Sequence, residues 1–415
     1  MSTASEQPRG STDGLLGGLR QTLDRPLTSY HLVRGASGLL LVLGLLMVLS
    51  ASSVESFYDY EGNSYAVFAR QAMWVALALP AAWVASRLPL KLIARLSTVG
   101  LVVSVLLLLA TYTGLGTEVN GNRNWLSFGG PFRIQPSEPA KLALVLWLAH
   151  MYAAKGGRLA EWRHLLLPMV PVSALVAGLV VGQQDLGTAL VLFAIILGMV
   201  WVVGAPLRLF GGAFLLVGGV AMFLASLSPA RMQRLANFTD PFADYERTGW
   251  QAAHSFFAMA NGGWWGVGLG ASTQKWDGKL PEAHNDFIFA IIGEELGLFG
   301  TLVVLALFGV LIYAGFRIAA RTRDPFARYA AAGITIWLAS QALINIGMVL
   351  GLLPVIGIPL PLVSYGGSAL LPTLVALGIL VNLAKTEPGA AAAWRAHRRL
   401  DLAVRWGLAP RQRGR

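Results

Sequence analysis

The sequence contains no cysteine and few charged residues. Without cysteine there is no disulfide framework, no thiolate metal site and no cysteine nucleophile. Charged residues make up 13% of the chain and hydrophobic residues 55%, whereas a water-soluble domain needs far more charge on its surface. The composition therefore excludes a series of globular domains in water, and it predicts one helical bundle whose solvent is lipid.

Apolar runs of about 20 residues recur along the chain, and none shows period-2 alternation. Lipid offers no hydrogen-bond partner to backbone groups, so a span must be a helix or part of a closed barrel, and the missing alternation excludes the barrel. We predict an all-α polytopic membrane protein, a bundle of about ten transmembrane helices. The predicted spans are residues 35–53, 66–87, 95–114, 138–154, 165–183, 186–204, 209–227, 287–316, 327–352 and 367–385.

Polar tails flank the predicted transmembrane domain of residues 35–385. Residues 1–34 predict a disordered basic tail, and residues 386–415 predict a second basic tail. Of the 32 Lys and Arg residues, 23 fall on the tails and alternate loops and seven on the remaining loops. The positive-inside rule places the first set, and therefore both termini, in the cytoplasm. The same rule explains the net charge of +11, so we expect no nucleic-acid partner.

The longest outer segment, residues 228–286, is too long for a simple connector. It is also apolar over residues 250–260 and at Trp264 and Trp265, which would not lie free in water. We predict amphipathic or re-entrant helices that roof the bundle. The glycine-rich residues 262–270 follow no strand, so they are no dinucleotide fingerprint, and they favour a re-entrant turn over an anion-binding nest.

Ionisable residues at membrane depth each cost about 2.5–3.5 kcal/mol, so each needs a reason. Glu138 and Lys141 are neighbours on one helix face, and they form either an internal ion pair for packing or a substrate-facing pair. Asp185 lies at the outer turn between two spans, where it either caps the following helix or faces the substrate. The residues alone leave both choices open. The full set is Arg70, Glu138, Lys141, Asp185, Glu294 and Glu295.

The first long outer loop combines positive charge with a helix start. Arg123 and Arg133 lie in it, Ser137 begins the next predicted helix, and Lys141 follows one turn further in. Two arginines, a lysine and a helix N-terminus favour an anionic group such as a phosphate. Outer arginines also bind lipid headgroups without specificity, and this alternative stays open.

Asp286 lies where the long outer segment re-enters the membrane. The helix predicted for residues 287–316 would be about 45 Å long against a hydrocarbon core of about 30 Å, so it must project, tilt or kink near Gly297 and Gly300. Asp286 is either the N-cap of this helix or a catalytic residue, and physics alone leaves both open. His284 and Asp286 do not have a metal-ligand spacing.

The last outer loop is rich in proline and glycine over residues 353–368, which forbids a continuous helix. Non-helical backbone at membrane depth is tolerated where it is buried in protein or lines a wet cavity. This end of the bundle is therefore predicted to hold an outward-facing cavity or a packed plug.

Taken together, these motifs resemble the SEDS family (shape, elongation, division and sporulation) and within it the division branch. The resemblance covers about residues 35–385. Many relatives have Pro in place of Gln184 and Ser in place of Ala369, and neither departure removes an ionisable group. The segments that carry the resemblance are residues 280–297, 347–368, 135–138 with Lys141, and 185–188.

This resemblance implies a peptidoglycan glycosyltransferase that polymerises lipid II outside the bacterial cytoplasmic membrane, with undecaprenyl diphosphate as leaving group. It implies septal synthesis in cell division, in the company of a class B penicillin-binding protein, other division-complex membrane proteins and membrane lipids. The family's essential aspartate falls on Asp286, which we expect to be the general base. A lipid II flippase and a non-catalytic scaffold for the penicillin-binding protein stay open as other function classes.

Nine further residues are expected to bind substrate. No side chain is expected to bind a resident metal and no cofactor is certain, although a divalent cation, Mg or Mn, is an open expectation at the diphosphate. The expected substrate-binding residues are Arg123, Arg133, Ser137, Glu138, Lys141, Asp185, Lys275, Glu282 and Ser364.

Overall fold

The computed structural model describes the chain from residue 25 to residue 396 with short gaps. Residues 1–24 and 397–415, which make up most of the two predicted tails, therefore lie outside the described residues. The described ranges are 25–119, 122–127, 129, 133–226, 232–233, 235, 238, 240–246, 249–276 and 279–396.

Helices account for most of the described chain, and each predicted span overlaps one of them. The first helix begins at Thr28, earlier than the predicted boundary at residue 35. The helices are α1 Thr28–Asp59, α2 Ala66–Ala85, α3 Leu90–Ala110, α4 Ser137–Lys155, α5 Trp162–Leu166, α6 Met169–Gly182, α7 Leu186–Val202, α8 Leu207–Ser226, α9 Trp250–Gly262, α10 Ile288–Arg321, α11 Pro325–Val349 and α12 Gly367–Leu383.

Seven helical stretches among the described residues are long and apolar enough to cross a membrane. The apolar stretches Leu186–Val202 of α7 and Leu207–Phe223 of α8 are shorter, and α4 carries Glu138, Lys141 and Lys155. The chain is therefore a helical, multi-pass membrane protein, as predicted. The number of ten crossings stays a prediction.

A small antiparallel sheet lies between α3 and α4, where the sequence predicts only a loop. Its strands are β1 Gly116–Val119, β2 Asn122–Ser127 and β3 Arg133–Ile134, in the order β1-β2-β3. Leu126 pairs with Gly116 on one side and with Ile134 on the other. The described residues of this loop thus form a small sheet and not an irregular connection.

Helices α11 and α12 occupy the centre of the bundle. In their most apolar stretches 78% and 72% of the residues are buried, against 28–39% for α1, α2 and α3. Helix α11 packs against α4, α7 and α10, and α12 packs against α2. The helices at the periphery of the bundle expose apolar side chains, as a protein surrounded by lipid requires.

Helix α10 is broken at Gly297, within the region where its length predicts a kink. Gly297 has φ 67° and ψ −165°, which is a conformation that only glycine adopts readily. A Cβ at this position would lie 2.4 Å from the backbone nitrogen of Gly266. The break therefore needs glycine both for its dihedral angles and for the close approach of the loop after α9.

The glycine-rich loop of residues 263–270 re-enters against this break. In a continuous helix Leu298 would donate to the carbonyl of Glu294, but here Val267 N donates to Glu294 O at 2.9 Å. Leu298 N donates instead to Gly263 O at 2.9 Å. The loop thus satisfies the backbone groups that the break exposes. These contacts fit a turn packed on the helix break and engage the amides of Gly266, Val267 and Gly268, which favours the turn over an anion nest, while its entry into the membrane stays a prediction.

Candidate active site

Asp286 lies in the loop of residues 280–287 and is half-buried. The N-cap position of α10 is Phe287, and no side chain caps the helix. The capping alternative for Asp286 is therefore wrong. The turn before α10 is held by a main-chain hydrogen bond and not by a side chain, because Phe287 N donates to Glu282 O at 3.3 Å. The Asp286 carboxylate is not used as a helix cap and stays available for chemistry.

Asn345 of α11 holds the backbone of this loop. Its Nδ2 donates to Asp286 O at 2.8 Å and to Ile358 O at 2.7 Å. One buried amide thus joins the loop to the proline-rich segment of residues 353–366. The position of Asp286 is therefore set by the most buried helix of the bundle.

Ser364 and Tyr365 hold the same loop from the other side. Ser364 Oγ donates to Asn285 O at 2.7 Å, and it accepts from Leu360 N at 2.7 Å. Tyr365 N donates to His284 O at 2.9 Å. Ser364 thus positions the loop through its hydroxyl, and its expected substrate-binding role stays a prediction.

The surroundings of Asp286 shift its acidity towards neutral pH. Burial, the charge of Glu282 and, less strongly, that of Asp185 together raise the pKa of Asp286 from 3.8 to about 7, while the charge of His284 acts in the opposite direction. A Cβ on Gly357 would lie 3.4 Å from Asp286 Oδ2, so the segment of residues 353–366 passes close to the carboxylate. A pKa near the working pH is the property that a general base needs.

His284 is buried beside Asp286 and contacts α1. Its Nδ1 lies 3.0 Å from Glu55 Oε2, and its ring centroid lies 5.3 Å from that of Tyr365. Burial alone would lower the pKa of His284, but the contact with Glu55 and the charges of Glu55, Glu282 and Asp286 raise it above its ordinary value. Sequence reasoning missed the Glu55 contact, because Glu55 lies in α1, far from His284 along the chain.

Asp185 joins three outer elements. It caps α7 by accepting from Thr188 N at 2.9 Å, which confirms the capping alternative. Its Oδ2 also accepts from Asn124 Nδ2 of β2 at 3.1 Å and from Gln135 Nε2 at 2.8 Å. Asp185 therefore ties the outer sheet and the start of α4 to α7, and a direct role in binding substrate stays a prediction.

The two outer arginines differ in how much they are engaged. Arg123 Nη2 donates to Thr113 O at 2.7 Å, and its Nε donates to Gly116 O at 3.4 Å. Both Arg123 and Arg133 are exposed. Both guanidinium groups are therefore accessible from outside the bundle, and their expected role in binding an anionic substrate stays a prediction.

Arg70 of α2 is a cation of this region that the expected binding set omits. Its Nη1 donates to Tyr60 OH at 2.8 Å. Burial raises the pKa of the Tyr365 phenol, and the nearby charges of Arg70 and Arg133 oppose that shift. The two arginines therefore both act on Tyr365, beside His284. An arginine inside an apolar run was the signal that pointed to it.

Lys141 and Glu138 lie in the core, away from the outer surface. Lys141 Nζ is 2.8 Å from Glu138 Oε1 and 3.0 Å from Gln341 Oε1, and Trp337 Nε1 donates to the same Gln341 oxygen at 2.8 Å. Ser137, at the first position of α4, is also buried. This geometry favours the packing alternative over the substrate-facing one, because the Lys141 ammonium is enclosed by protein.

Lys275 is held in a second buried ion pair. Its Nζ lies 3.0 Å from Glu295 Oε1 and donates to Gly270 O at 2.8 Å and to Ser50 Oγ at 3.1 Å. The neighbouring Glu294 accepts from Thr273 N at 3.0 Å. These carboxylates fasten the segment after the glycine-rich loop to α10. The expected substrate contact of Lys275 stays a prediction, and its three partners favour a structural role.

Glu282 lies near Asp286 with a left-handed backbone, φ 59°. Its Oε2 accepts from Asn285 Nδ2 at 3.3 Å. Among the described residues no group of three or more His, Asp or Glu side chains could hold a metal ion. The described side chains thus do not fit a resident metal centre, and the divalent cation stays a prediction.

The family model described as "Cell cycle protein", which carries the names FtsW, RodA and SpoVE, matches residues 30–388. The chain belongs to this family. The match spans every helix from α1 to α12, and it confirms the SEDS resemblance that the outer motifs indicate.

Relatives named "Probable peptidoglycan glycosyltransferase FtsW" are similar over most of the chain. The one from Mycobacterium bovis is 45% identical over 377 residues, which covers 91% of this chain and 71% of the relative. The one from Alkalilimnicola ehrlichii is 41% identical over 345 residues, covering 82% of this chain and 85% of the relative.

Solved structures share the fold. A chain from a peptidoglycan synthase complex that coordinates polymerization and crosslinking superposes with a TM-score of 0.69 at 29% identity, covering 85% of this chain and 96% of that one. The rod shape determining protein RodA of Thermus thermophilus gives a TM-score of 0.62 at 28% identity, with the same coverage of 85% and 96%. The arrangement of helices around the outer loops is thus a property of the family.

Proposed function

We propose that this chain polymerises lipid II into the glycan strands of peptidoglycan on the outer face of the bacterial cytoplasmic membrane. Family membership and the names of the FtsW relatives support glycosyltransferase activity. The observation that carries the assignment of the site is the half-buried Asp286 carboxylate, which does not cap α10 and whose loop backbone is held by α11 and by the segment of residues 353–366. Asp286 is the general base of the reaction.

The chemistry needs one base and one good leaving group. Asp286 accepts the proton of the acceptor sugar hydroxyl while that oxygen forms a bond to the anomeric carbon of the donor. The bond from the anomeric carbon to the diphosphate oxygen breaks, and undecaprenyl diphosphate leaves with the electron pair. A single displacement inverts the α-linked carbon to β. The proton then passes from Asp286 to water, which restores the carboxylate.

The leaving diphosphate needs positive charge rather than an acid. Arg123 and Arg133 are exposed at the outer sheet, and Arg70 lies beside Tyr365. Guanidinium groups bind phosphate oxygens through paired N–H donors, so these three arginines are the proposed diphosphate contacts. The buried Lys141 is too enclosed for this role. The divalent cation is tested separately, by measuring polymerisation as EDTA is titrated against added Mg²⁺.

Charge distribution supports the orientation that the reaction requires. The excess of Lys and Arg on alternate loops and tails favours cytoplasmic termini, and it favours an outer location for Asp286, Arg123 and Arg133. The similarity to a chain of a peptidoglycan synthase complex supports a class B penicillin-binding protein as partner. A septal role alongside other division-complex membrane proteins follows from the FtsW relatives. Rescue of a conditional strain that cannot septate tests it, and rescue of elongation alone contradicts it.

Purified protein supplied with lipid II tests the proposed activity. We expect glycan strands from the wild type and none from Asp286→Asn, which keeps the size of the side chain but cannot accept the proton. The variant should keep its melting temperature in detergent, because the loop is held by backbone contacts. Normal polymerisation by Asp286→Asn would overturn the base assignment.

The same assay separates the other two function classes. A lipid II flippase moves labelled lipid II across vesicles, forms no strands and tolerates Asp286→Asn. A scaffold forms no strands by itself and changes only the activity of the penicillin-binding protein. Strand formation that depends on Asp286 excludes both as the complete function.

A further inference from the structure

The outer end of α1 contributes a carboxylate to the candidate active site. Glu55 Oε2 lies 3.0 Å from His284 Nδ1, and the side-chain exposures are 46% for Glu55 and 8% for His284. An imidazole so enclosed keeps a positive charge only where carboxylates compensate the loss of water. The pair therefore joins two outer segments that are distant in sequence.

His284 and Asp286 lie two residues apart in a loop whose backbone is fixed on both sides. The charged groups that act on His284 are Glu55 from α1, at contact distance, and Glu282 and Asp286 from its own loop. The ring of Tyr365 packs on it from the segment of residues 353–366. His284 is thus the cation on which three carboxylates converge.

The neighbours of Asp286 disfavour the ionised form of its carboxylate. Glu282 and, from α7, Asp185 act on it as like charges, and burial also favours its neutral form. His284 is the opposing influence on Asp286. The charges of Arg70 and Arg133 act on the phenol of Tyr365, which packs on His284. Loss of the His284 charge would therefore leave burial and two carboxylates acting on Asp286 without this opposition.

We propose that Glu55 and His284 form a charged pair that holds Asp286 in its ionised, proton-accepting form, with both acting as positioning residues for the reaction. The inference rests on the proposed function, since it concerns the base of that reaction. Glu55 stabilises the imidazolium, and the imidazolium stabilises the Asp286 carboxylate. Neither residue touches the reacting atoms.

The pH dependence of kcat/KM for lipid II polymerisation tests the pair. The base must be ionised, so activity falls as pH decreases through its pKa. We call this low-pH decrease of activity the acid limb. Removing the charge of Glu55 or His284 raises the pKa of Asp286, so the acid limb moves to higher pH by about one unit. We expect this upward shift in both Glu55→Gln and His284→Gln, with activity recovered at alkaline pH. The double variant should shift no further than one single variant, because both substitutions remove the same interaction.

Glu61→Gln is the matched control. Glu61 is exposed in the turn after α1, so this variant removes an outer negative charge without touching the pair. We expect its acid limb to coincide with that of the wild type. Equal loss of rate at every pH in Glu55→Gln and His284→Gln would show a merely structural role and overturn the inference, as would unshifted limbs in both.

The Asp286→Asn arm separates this inference from the proposed function. If Asp286→Asn is inactive and the acid limbs of the pair variants do not move, only the pair is wrong. If Asp286→Asn polymerises normally, the base assignment fails and the pair fails with it. Melting temperatures of all variants in detergent identify any that does not fold, and either remaining single variant then decides the question.

Discussion

At the scale of single residues, Asp286 shows how the protein prepares one carboxylate for proton transfer. A sugar hydroxyl is a weak nucleophile, so its base must be ionised near neutral pH and still basic enough to accept a proton. Burial and the neighbouring carboxylates raise the pKa of Asp286 from 3.8 to about 7, although the His284 charge opposes the rise. The resulting pKa balances the two requirements.

This pKa predicts the pH profile of the wild-type protein. Because Asp286 acts as a base, the active fraction is about one half near pH 7, and it falls about tenfold for each pH unit below that. Polymerisation of lipid II measured from acidic to alkaline pH should therefore show an acid limb centred near pH 7. A limb near the ordinary carboxylate pKa of about 4 would contradict the buried environment of Asp286.

The buried pair of Glu138 and Lys141 gives a second prediction at this scale. Lys141→Met leaves the Glu138 carboxylate in the core without its cation, which costs about 3–5 kcal/mol for buried pairs. We expect a clear decrease in the melting temperature of the protein in detergent. The double variant Glu138→Gln with Lys141→Met should recover part of the loss, because no buried charge is then left alone.

Lys91→Met provides the control for this substitution. Lys91 is exposed near the start of α3, so its replacement removes the same charge without leaving a buried partner. We expect its melting temperature to match the wild type. A Lys141→Met protein that melts with the Lys91→Met control would show that the pair does not support the fold.

At the scale of elements, the break in α10 and the loop after α9 form one unit. Gly297→Ala introduces a Cβ that would lie 2.4 Å from Gly266 N, at a backbone conformation that costs other residues about 1–3 kcal/mol. The loop must then move away from α10, which exposes backbone groups at membrane depth. We expect a lower melting temperature and reduced polymerisation from Gly297→Ala.

Gly309→Ala is the control within the same helix. A Cβ on Gly309 would meet nothing within 4 Å, and alanine favours helix by about 1 kcal/mol over glycine. This variant should melt at or above the wild-type temperature. If Gly297→Ala behaved in the same way, the break would not be needed for the fold.

The elements differ in how far sequence reasoning could reach them. The helices follow from apolar runs, and the break at Gly297 follows from a helix too long for the membrane, because both depend on local composition and length. The sheet of β1, β2 and β3 was missed. Its strands are short and lie in a loop, and their pairing, such as Leu126 with Gly116, depends on the fold around them.

In the candidate site, too, features that depend on local sequence were predicted, and contacts between distant segments were not. Asp286 and Ser364 were predicted from motifs, and the structure places them in adjoining segments. The cap at Asp185 was also foreseeable, because an aspartate before a helix is a local signal. The contact of Glu55 with His284 was not foreseeable, because it joins residues far apart in sequence. The ion pair of Lys275 with Glu295 was not foreseeable for the same reason, since Glu295 lies on another element, and the expected substrate contact of Lys275 stays a prediction.

At the scale of the whole molecule, α10 connects two fixed ends. One end begins beside Asp286, and the opposite end carries Arg317, which is buried. Arg317 Nη1 donates to Ser29 Oγ of α1 and lies 3.4 Å from Glu387 Oε2, just after α12. The start of the first helix and the end of the last are therefore fastened to α10 on the side opposite the candidate site.

This arrangement predicts that stability and catalysis can be changed separately. Glu387→Gln removes the charge that Arg317 contacts while keeping the shape of the side chain. Hydrogen bonds to charged groups contribute about 1.5–3 kcal/mol, so the melting temperature in detergent should decrease measurably. The acid limb of polymerisation should stay unchanged, because Glu387 is not among the charges that act on Asp286.

Glu161→Gln separates the effect of burial from that of charge. The Glu161 side chain is 72% exposed and lies 3.5 Å from His164. Exposed ion pairs contribute only about 0–1 kcal/mol to the free energy of unfolding. We expect this control to melt with the wild type. A Glu387→Gln protein that melts no lower than the control would show that the contact of Glu387 with Arg317 does not fasten the bundle. A shift of its acid limb would show instead that the two ends of α10 are coupled, since no direct charge effect reaches from Glu387 to Asp286.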